Sequence, residues 1–312
     1  MPEGPEIRRA ADRLRAVLVG HPTTEVVFAI PALEAHGARL TGHTVVAVEA
    51  RGKALLTTFD DGWSLYSHNQ LYGRWDVRGP RAKAPRTTRQ ERVRLVTARG
   101  TARLYSATDV AVLAPGEAAD HPFLARLGPD VFAPTTTPEA IATRLLAPAF
   151  RRRRLEGLLL DQGFLAGLGN YLRSEVLFLA GLAPERRPAD LTEAERLALG
   201  TAVRWACQQA YETGGLTVPQ ARAEALKAAG WPRWRYRHFV FNQPGRPCAL
   251  CDTPVARKRV GGRRLDTCPT CQPAQAGAAP PPLARLGLAQ PPLAPPGYNA
   301  LEITACSPAP SP

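Results

Sequence analysis

Gly163-Phe164-Leu165-Ala166-Gly167-Leu168-Gly169-Asn170 lies between two apolar runs of helical spacing, Leu155–Gln162 and Tyr171–Leu179. Its three glycines permit a tight turn and the close approach of another backbone. Asn170 stands where an N-cap belongs, and a helix start with free N–H groups is a ready anion site. The stretch reads as helix–two turns–helix, with phosphate binding as a use beside packing.

Outward from it, the texture is helical from His121 to about Ala229. Thr192-Glu193-Ala194-Glu195 is a capping box opening a long helix to about Glu212. Upstream, short β-type runs recur at Thr24–Phe28, Thr44–Glu49, Ala54–Phe59, Ser64–His68, Arg74–Val77, Val93–Thr97 and Ala102–Ser106, punctuated by Gly, Asp and Pro. That spacing predicts a sandwich or barrel. The basic, Pro-containing stretch Arg78–Arg92 reads as a mobile loop. Ahead of the strands, Ile7, Ala10, Ala11, Leu14, Val17 and Leu18 follow helical spacing within Pro5–Val19, and Pro5 suits a first turn.

Downstream, Cys248-Ala-Leu-Cys251 and Cys268-Pro-Thr-Cys271 enclose 16 residues, Asp252 to Thr267. Two thiolates two residues apart grip one ion from a tight turn, and the spacer is long enough for a β-hairpin. One structural zinc on four cysteines is the expectation, with no open position for water. Cys207 reads as a small buried hydrophobe, and Cys306 as incidental in a Pro- and Ala-rich tail. The predicted class is α+β: 1–120 an N-terminal helix and β-sandwich, 121–238 a helical helix–two turns–helix domain, 239–272 a zinc finger, and 273–312 a disordered tail.

The charge balance names the partner's sign. Among 312 residues, Lys and Arg number 40 and Asp and Glu 27, for a net charge of +13. Such a chain meets polyanions. No apolar stretch approaches the ~18 residues of a membrane span, and Glu3 and Glu6 sit where a signal peptide would be apolar. The expectation is a cytoplasmic protein with an anionic partner, working as a monomer.

The chemistry concentrates at the N-terminus. Met before a small residue is normally trimmed, which leaves Pro2 as a terminal secondary amine able to attack a sugar C1′ and form an iminium. Proline is also simply common at that position. Glu3 and Glu6 set two carboxylates beside the amine, able to move protons; acids in a first helical turn also complement the helix dipole. Lys53, after Arg51-Gly52, reads as an anion contact or as a solvated strand residue.

MPEGPEIRRAADRL at the start resembles the formamidopyrimidine-DNA glycosylase/endonuclease VIII family. The resemblance continues at Arg51–Leu56, Tyr66–Gly73, His121–Leu124, Gly128–Asp130, Leu159–Gln162 and Gly167–Arg173, and ends at the four cysteines, covering about residues 2–272. It implies a bifunctional DNA glycosylase/AP lyase that acts on double-stranded DNA with damaged bases or abasic sites. Pro2 matches the Schiff-base nucleophile, Glu3 its acid/base partner, and Lys53 the lysine that assists elimination and contacts phosphate. Asn170 and Arg126 match DNA contacts. Arg263, five residues before Cys268, matches the arginine that grips phosphate and assists δ-elimination, with Arg264 as the neighbouring register. Gln70-Leu71-Tyr72 matches the triplet that, in the endonuclease VIII branch, fills the gap left by an extruded base. It therefore favours oxidised pyrimidines over oxidised purines; the residues alone also allow Leu71 and Tyr72 to be buried on a strand. A non-catalytic zinc-dependent DNA-binding protein is the remaining alternative.

Three patterns stay outside that assignment. His68 in a β-rich stretch reads as structural. Trp231, Trp234, Tyr236 and Phe239, interleaved with Arg233, Arg235 and Arg237, read as a strand leading into the zinc hairpin rather than a stacking platform. Arg151–Arg154 is a solvated basic face or a phosphate-facing one.

Overall fold

The structure, a computed structural model, describes residues 2–275 and 280–288. The chain opens with helix α1 (Gly4–Leu18), followed by β1 (Thr23–Phe28), α2 (Ala35–Leu40), β2 (Val45–Arg51), β3 (Ala54–Phe59), β4 (Ser64–His68), β5 (Arg74–Arg78), β6 (Glu91–Thr97), β7 (Gly100–Tyr105) and β8 (Asp109–Leu113). These strands form two antiparallel four-stranded sheets, ordered β1-β6-β7-β5 and β2-β3-β4-β8. The stripe Ile7, Ala10, Ala11, Leu14 and Leu18 of α1 is buried against both sheets, in one core with Phe28, Val48, Phe59, Trp75 and Leu95. An amphipathic helix gains its stability from such a face rather than from propensity.

The helical half comprises α3 (Glu117–Asp120), α4 (Pro138–Leu145), α5 (Leu155–Leu158), α6 (Asn170–Leu179), α7 (Glu193–Thr213), α8 (Gln220–Ala228) and α9 (Arg233–Tyr236). The Thr192 box caps α7 as expected: Thr192 Oγ1 accepts from Glu195 N, and the Glu195 carboxylate accepts from Thr192 N. The hairpin β9 (Ala256–Val260) and β10 (Arg263–Thr267) comes next. Val255, Leu265, Cys248, Cys268 and Cys271 join the core of the helical half, so the cysteine module is fused to α6 and α7 and builds no separate core.

Four expectations need correction. Helix α5 stops at Leu158, not Gln162, because Asp161 and Gln162 turn their side chains onto the following loop: Asp161 Oδ1 accepts from Gly163 N. Strand β8 is additional to the expected strands; its run Val110-Ala111-Val112-Leu113 is apolar throughout, with no polar residue to give it an alternating pattern. The Trp231–Phe239 stretch is no strand; Pro232 leads into the single turn α9, which leaves Trp231 and Trp234 exposed and paired with Arg235 and Arg246. Residues 280–288 depart from the expected disorder of the tail. Pro282–Arg285 form helix α10, started by prolines whose fixed φ suits a first turn, with Leu283 buried. The rest of the tail beyond 288, with Cys306, lies outside the described residues.

Candidate active site and nucleic-acid interface

The N-terminus is docked onto the turn that opens α6. Gly4 N donates to Gly167 O (2.8 Å), and the two glycine backbones touch: a Cβ on Gly4 would lie 3.1 Å from Gly167 Cα. This brings Glu3 to the start of α6, 2% exposed. Its Oε1 accepts from Tyr171 N (2.9 Å) and its Oε2 from Leu172 N (3.2 Å). The helix cap is thus Gly169, not Asn170, which is the first helical residue; Gly169 has no side chain to cap with. A carboxylate more than 160 residues away in sequence takes that place and complements the helix dipole.

Burial pushes the Glu3 carboxyl up to about 7, against the pull of the Lys53 ammonium and the two amide hydrogen bonds. Burial also lowers Lys53, with Glu3 opposing the shift and Arg263 adding to it. Glu3, Lys53 and Arg263, from α1, the β2–β3 turn and the cysteine hairpin, therefore share one electrostatic site. Pro2 is half-buried beside Glu3. Glu6 binds the arrangement: its carboxylate accepts from Glu3 N (3.0 Å), from Tyr171 Oη (3.1 Å) and from Arg237 Nη2 (3.1 Å).

Each charged group is held from behind by residues to which sequence reasoning gave no role. Asp130 Oδ2 accepts from Gly52 N (2.9 Å) and its Oδ1 from Phe132 N (2.8 Å), pinning the turn that carries Lys53 to the helical half. Gln162 fixes the loop before α6: Nε2 donates to Leu168 O (3.0 Å), and Oε1 accepts from Gly167 N (3.1 Å). Arg173, fully buried, donates to Glu156 O, Asn170 Oδ1 and Arg264 O, so it aligns Asn170 with the hairpin. Glu175 accepts from Thr217 Oγ1 and from the backbone of Phe239, Val240 and Phe241, tying α6 to the approach to the cysteine module. Asp130, Gln162 and Arg173 lie within stretches that carry the family resemblance, but only contacts between distant segments reveal their work.

Arg263 is exposed on the first residue of β10, after the Gly261-Gly262 turn. Arg264 is engaged otherwise, over the Phe241 ring at 4.9 Å and donating to Asn242 Oδ1. Arg126 is exposed over the Phe123 ring at 5.7 Å. Asn170 is partly exposed.

Gln70, Leu71 and Tyr72 form the tip between β4 and β5, where Leu71 is 64% and Tyr72 71% exposed. A strand-buried reading of these two is therefore wrong. The tip is tight: Gly73 N donates to Asn69 O (2.7 Å), and a Cβ on Gly73 would sit 2.4 Å from that oxygen. Thr108 Oγ1 donates to Gln70 Oε1 (2.8 Å), and Arg89 Nη1 to Tyr72 O (2.5 Å). His68 Nδ1 accepts from Gln70 N (3.0 Å), its ring packs edge-on against Phe123, and burial lowers its pKa, so it supports the tip.

The four cysteine sulfurs converge. Cys251 Sγ lies 3.4 Å from Cys268 Sγ and 3.5 Å from Cys271 Sγ, and Cys248 Sγ 3.9 Å from Cys271 Sγ. These separations exceed a disulfide. They bracket the roughly 3.8 Å edge of a tetrahedron with metal–sulfur bonds near 2.3 Å. The donor set fits a metal ion.

Residues 1–109 match the formamidopyrimidine-DNA glycosylase N-terminal domain, and residues 127–221 the formamidopyrimidine-DNA glycosylase H2TH domain. Over 272 residues, 87% of this chain and 100% of the relative, the sequence is 47% identical to Endonuclease 8 of Escherichia coli O17:K52:H18 (strain UMN026 / ExPEC). Endonuclease 8 of Shigella sonnei (strain Ss046) has the same identity and coverage. Among solved structures, MutM (Fpg) of Thermus thermophilus superposes with a TM-score of 0.70 at 31% identity, covering 88% of this chain and 100% of that one. The Lactococcus lactis formamidopyrimidine-DNA glycosylase bound non-covalently to AP-site DNA shares the fold, with a TM-score of 0.70 at 23% identity over 87% of this chain and 99% of that one. The chain belongs to the formamidopyrimidine-DNA glycosylase/endonuclease VIII family, the DNA glycosylase/AP lyases of DNA repair. No helix among the described residues is long and apolar enough to cross a membrane.

Proposed function

We propose that this chain removes oxidised pyrimidines from double-stranded DNA through a Schiff base on Pro2, followed by β- and δ-elimination, working as a cytoplasmic monomer with one structural zinc. The observation that carries the reading is the buried Glu3 carboxyl, lifted to about 7 beside Pro2, Lys53 and the start of α6. A carboxyl with that pKa is half protonated near neutrality, the condition a group needs to give a proton and later take one.

In this reading the trimmed Pro2 amine attacks C1′ of the flipped nucleotide. The bond from C1′ to the base breaks, and Glu3 supplies the proton that the departing base or the opening sugar ring requires. The resulting iminium acidifies the C2′ proton; its loss expels the 3′ phosphate, and a second elimination expels the 5′ phosphate. Lys53 and Arg263 face those phosphates, with Asn170 and Arg126 as further backbone contacts. Gln70, Leu71 and Tyr72 enter the vacated stack, for which two exposed apolar side chains and an amide are suited. Zinc on Cys248, Cys251, Cys268 and Cys271 holds the two ends of the hairpin module that presents Arg263. The exposed triplet favours pyrimidine lesions over purine lesions.

The test is borohydride reduction on a duplex with one abasic site, using protein of verified N-terminal mass and the Pro2→Gly variant beside it. Trapping mapped to Pro2 supports the mechanism. A trimmed N-terminus with no trapped complex refutes it. Parallel duplexes with thymine glycol and 8-oxoguanine test the lesion class; faster release of 8-oxoguanine overturns the pyrimidine assignment.

A further inference from the structure

This chain is longer than the Endonuclease 8 relatives, whose full length is matched by 87% of it. Residues 280–288 fold back over the cysteine module: Leu283 is buried in the core of the helical half, with Leu286 and Leu288 packed beside it. Pro282 lies against Gly181 at the end of α6, so closely that a Cβ on Gly181 would meet Pro282 Cδ at 3.1 Å. This seating aims the side chain of Arg285 at the metal-ligand cluster. Its Nη1 lies 3.9 Å from Cys271 Sγ and its Nη2 donates to Leu250 O at 3.4 Å. Cys271 belongs to one cysteine pair, and Leu250 lies between Cys248 and Cys251 of the other. One guanidinium therefore clasps both halves of the cluster.

The electrostatics give the contact a purpose. Four thiolates around one divalent ion carry a net charge of −2, and Cys248 and Cys268 are buried at 1% and 0% exposure, where solvent screens that charge poorly. An N–H donor on a zinc thiolate withdraws density from the lone pair that a proton or an electrophile must attack, and outer contacts of this kind tune metal affinity. We propose that residues 280–288 are a strap over the zinc site, in which Arg285 stabilises the Cys271 thiolate and slows loss of the metal. The inference rests on the cluster holding zinc; it does not depend on the glycosylase reading.

The test measures zinc content, then the rate of zinc transfer to the chelator 4-(2-pyridylazo)resorcinol, for the full chain, Arg285→Ala, Arg285→Lys and a chain ending at Gln272. The expectation is transfer roughly tenfold faster for Arg285→Ala, an intermediate rate for Arg285→Lys, and a rate for the shortened chain at least as fast as Arg285→Ala. Cleavage of an abasic duplex by the zinc-loaded Arg285→Ala variant stays at the level of the unaltered chain. Equal transfer rates for Arg285→Ala and the unaltered chain overturn the role of Arg285, even if the shortened chain is faster. A purified full chain with no zinc overturns the zinc reading itself, a result the metal content reports separately.

Discussion

The joint between Gly169 and Glu3 is tight, and a single methyl group tests it. A Cβ on Gly169 would lie 2.4 Å from Glu3 Cδ and 2.5 Å from Oε1, at a position whose backbone is extended and acceptable to alanine. Restoring ordinary contact requires the carboxylate to retreat by about 1 Å. The amides of Tyr171 and Leu172, both buried, then lose their acceptor. Each orphaned amide costs about 1–3 kcal/mol. A displacement of that size at a reacting group costs roughly a hundredfold in rate. Gly169→Ala is therefore expected to lose about 2–6 kcal/mol in urea unfolding and roughly a hundredfold in single-turnover cleavage of an abasic duplex. The decisive control is a double-mutant cycle with Glu3→Ala. Once the carboxylate is gone, the methyl has nothing to displace, and adding Gly169→Ala produces little further loss of rate. Full activity in Gly169→Ala, or additive losses in the double variant, would refute the placement of Glu3 as cap and acid.

Three more outcomes rest on the same contacts. Glu3 has a folded pKa of about 7 against an ordinary 4.5, so its contribution to stability is fully present below 4.5 and lost as pH rises to 7. Between pH 5 and 8 the unaltered chain should lose about 2–3 kcal/mol more than Glu3→Gln in urea titrations; parallel curves would contradict the shift. Leu71→Ala and Tyr72→Ala touch exposed side chains, so melting temperature stays nearly constant while binding to a duplex with an abasic-site analogue weakens by about 1–3 kcal/mol per residue; unchanged affinity in a gel-shift titration removes the gap-filling role. Cys248→Ser, or prolonged chelation, should release the β9–β10 hairpin and abolish duplex binding; a metal-free protein that binds DNA normally would show that the cluster does not hold Arg263 in place.

Much of the architecture was legible because its signals are local. Short β-type runs marked seven strands, the α1 stripe marked its buried face, and Thr192 with Glu195 marked the start of α7 within one residue. The four cysteines named their own cluster through spacing alone. What failed was decided by distant contacts. Asn170 looked like a cap, yet the cap comes from Glu3. Leu155–Gln162 has helical spacing, yet Asp161 and Gln162 serve the loop beyond it. A Pro-rich tail with almost no charge gives no reason to fold, but residues 280–288 find an apolar seat already built by α6 and the cysteine module. Asp130, Arg173 and Glu175 carry no local pattern; each is recognisable only by the backbone groups it satisfies in another segment.

Those buried groups share a logic that bears on how the site works. Glu3, Asp130, Arg173 and Glu175 each spend a charge on main-chain groups at the seams between α1, the β2–β3 turn, α6 and the cysteine hairpin. Main-chain partners are rigid, so a side chain bonded to them is held in one geometry at little further entropic cost. Pro2, Lys53 and Arg263 lie far apart in sequence and come from three separate parts of the fold. The start of α6 touches all three neighbourhoods: Leu172 N donates to Glu3, a Cβ on Gly52 would lie 3.5 Å from Gly167 N, and Arg173 donates to Arg264 O. In the proposed function that same helix start also receives DNA through Asn170. Phosphate binding at Asn170 would then act on the network that fixes Glu3: Arg173 donates to Asn170 Oδ1, and the helix dipole that holds the Glu3 carboxylate is the one an incoming phosphate meets. A second anion at the α6 terminus would make the Glu3 carboxylate less favourable and its protonated form more so, and would raise the fraction able to donate a proton in the proposed mechanism.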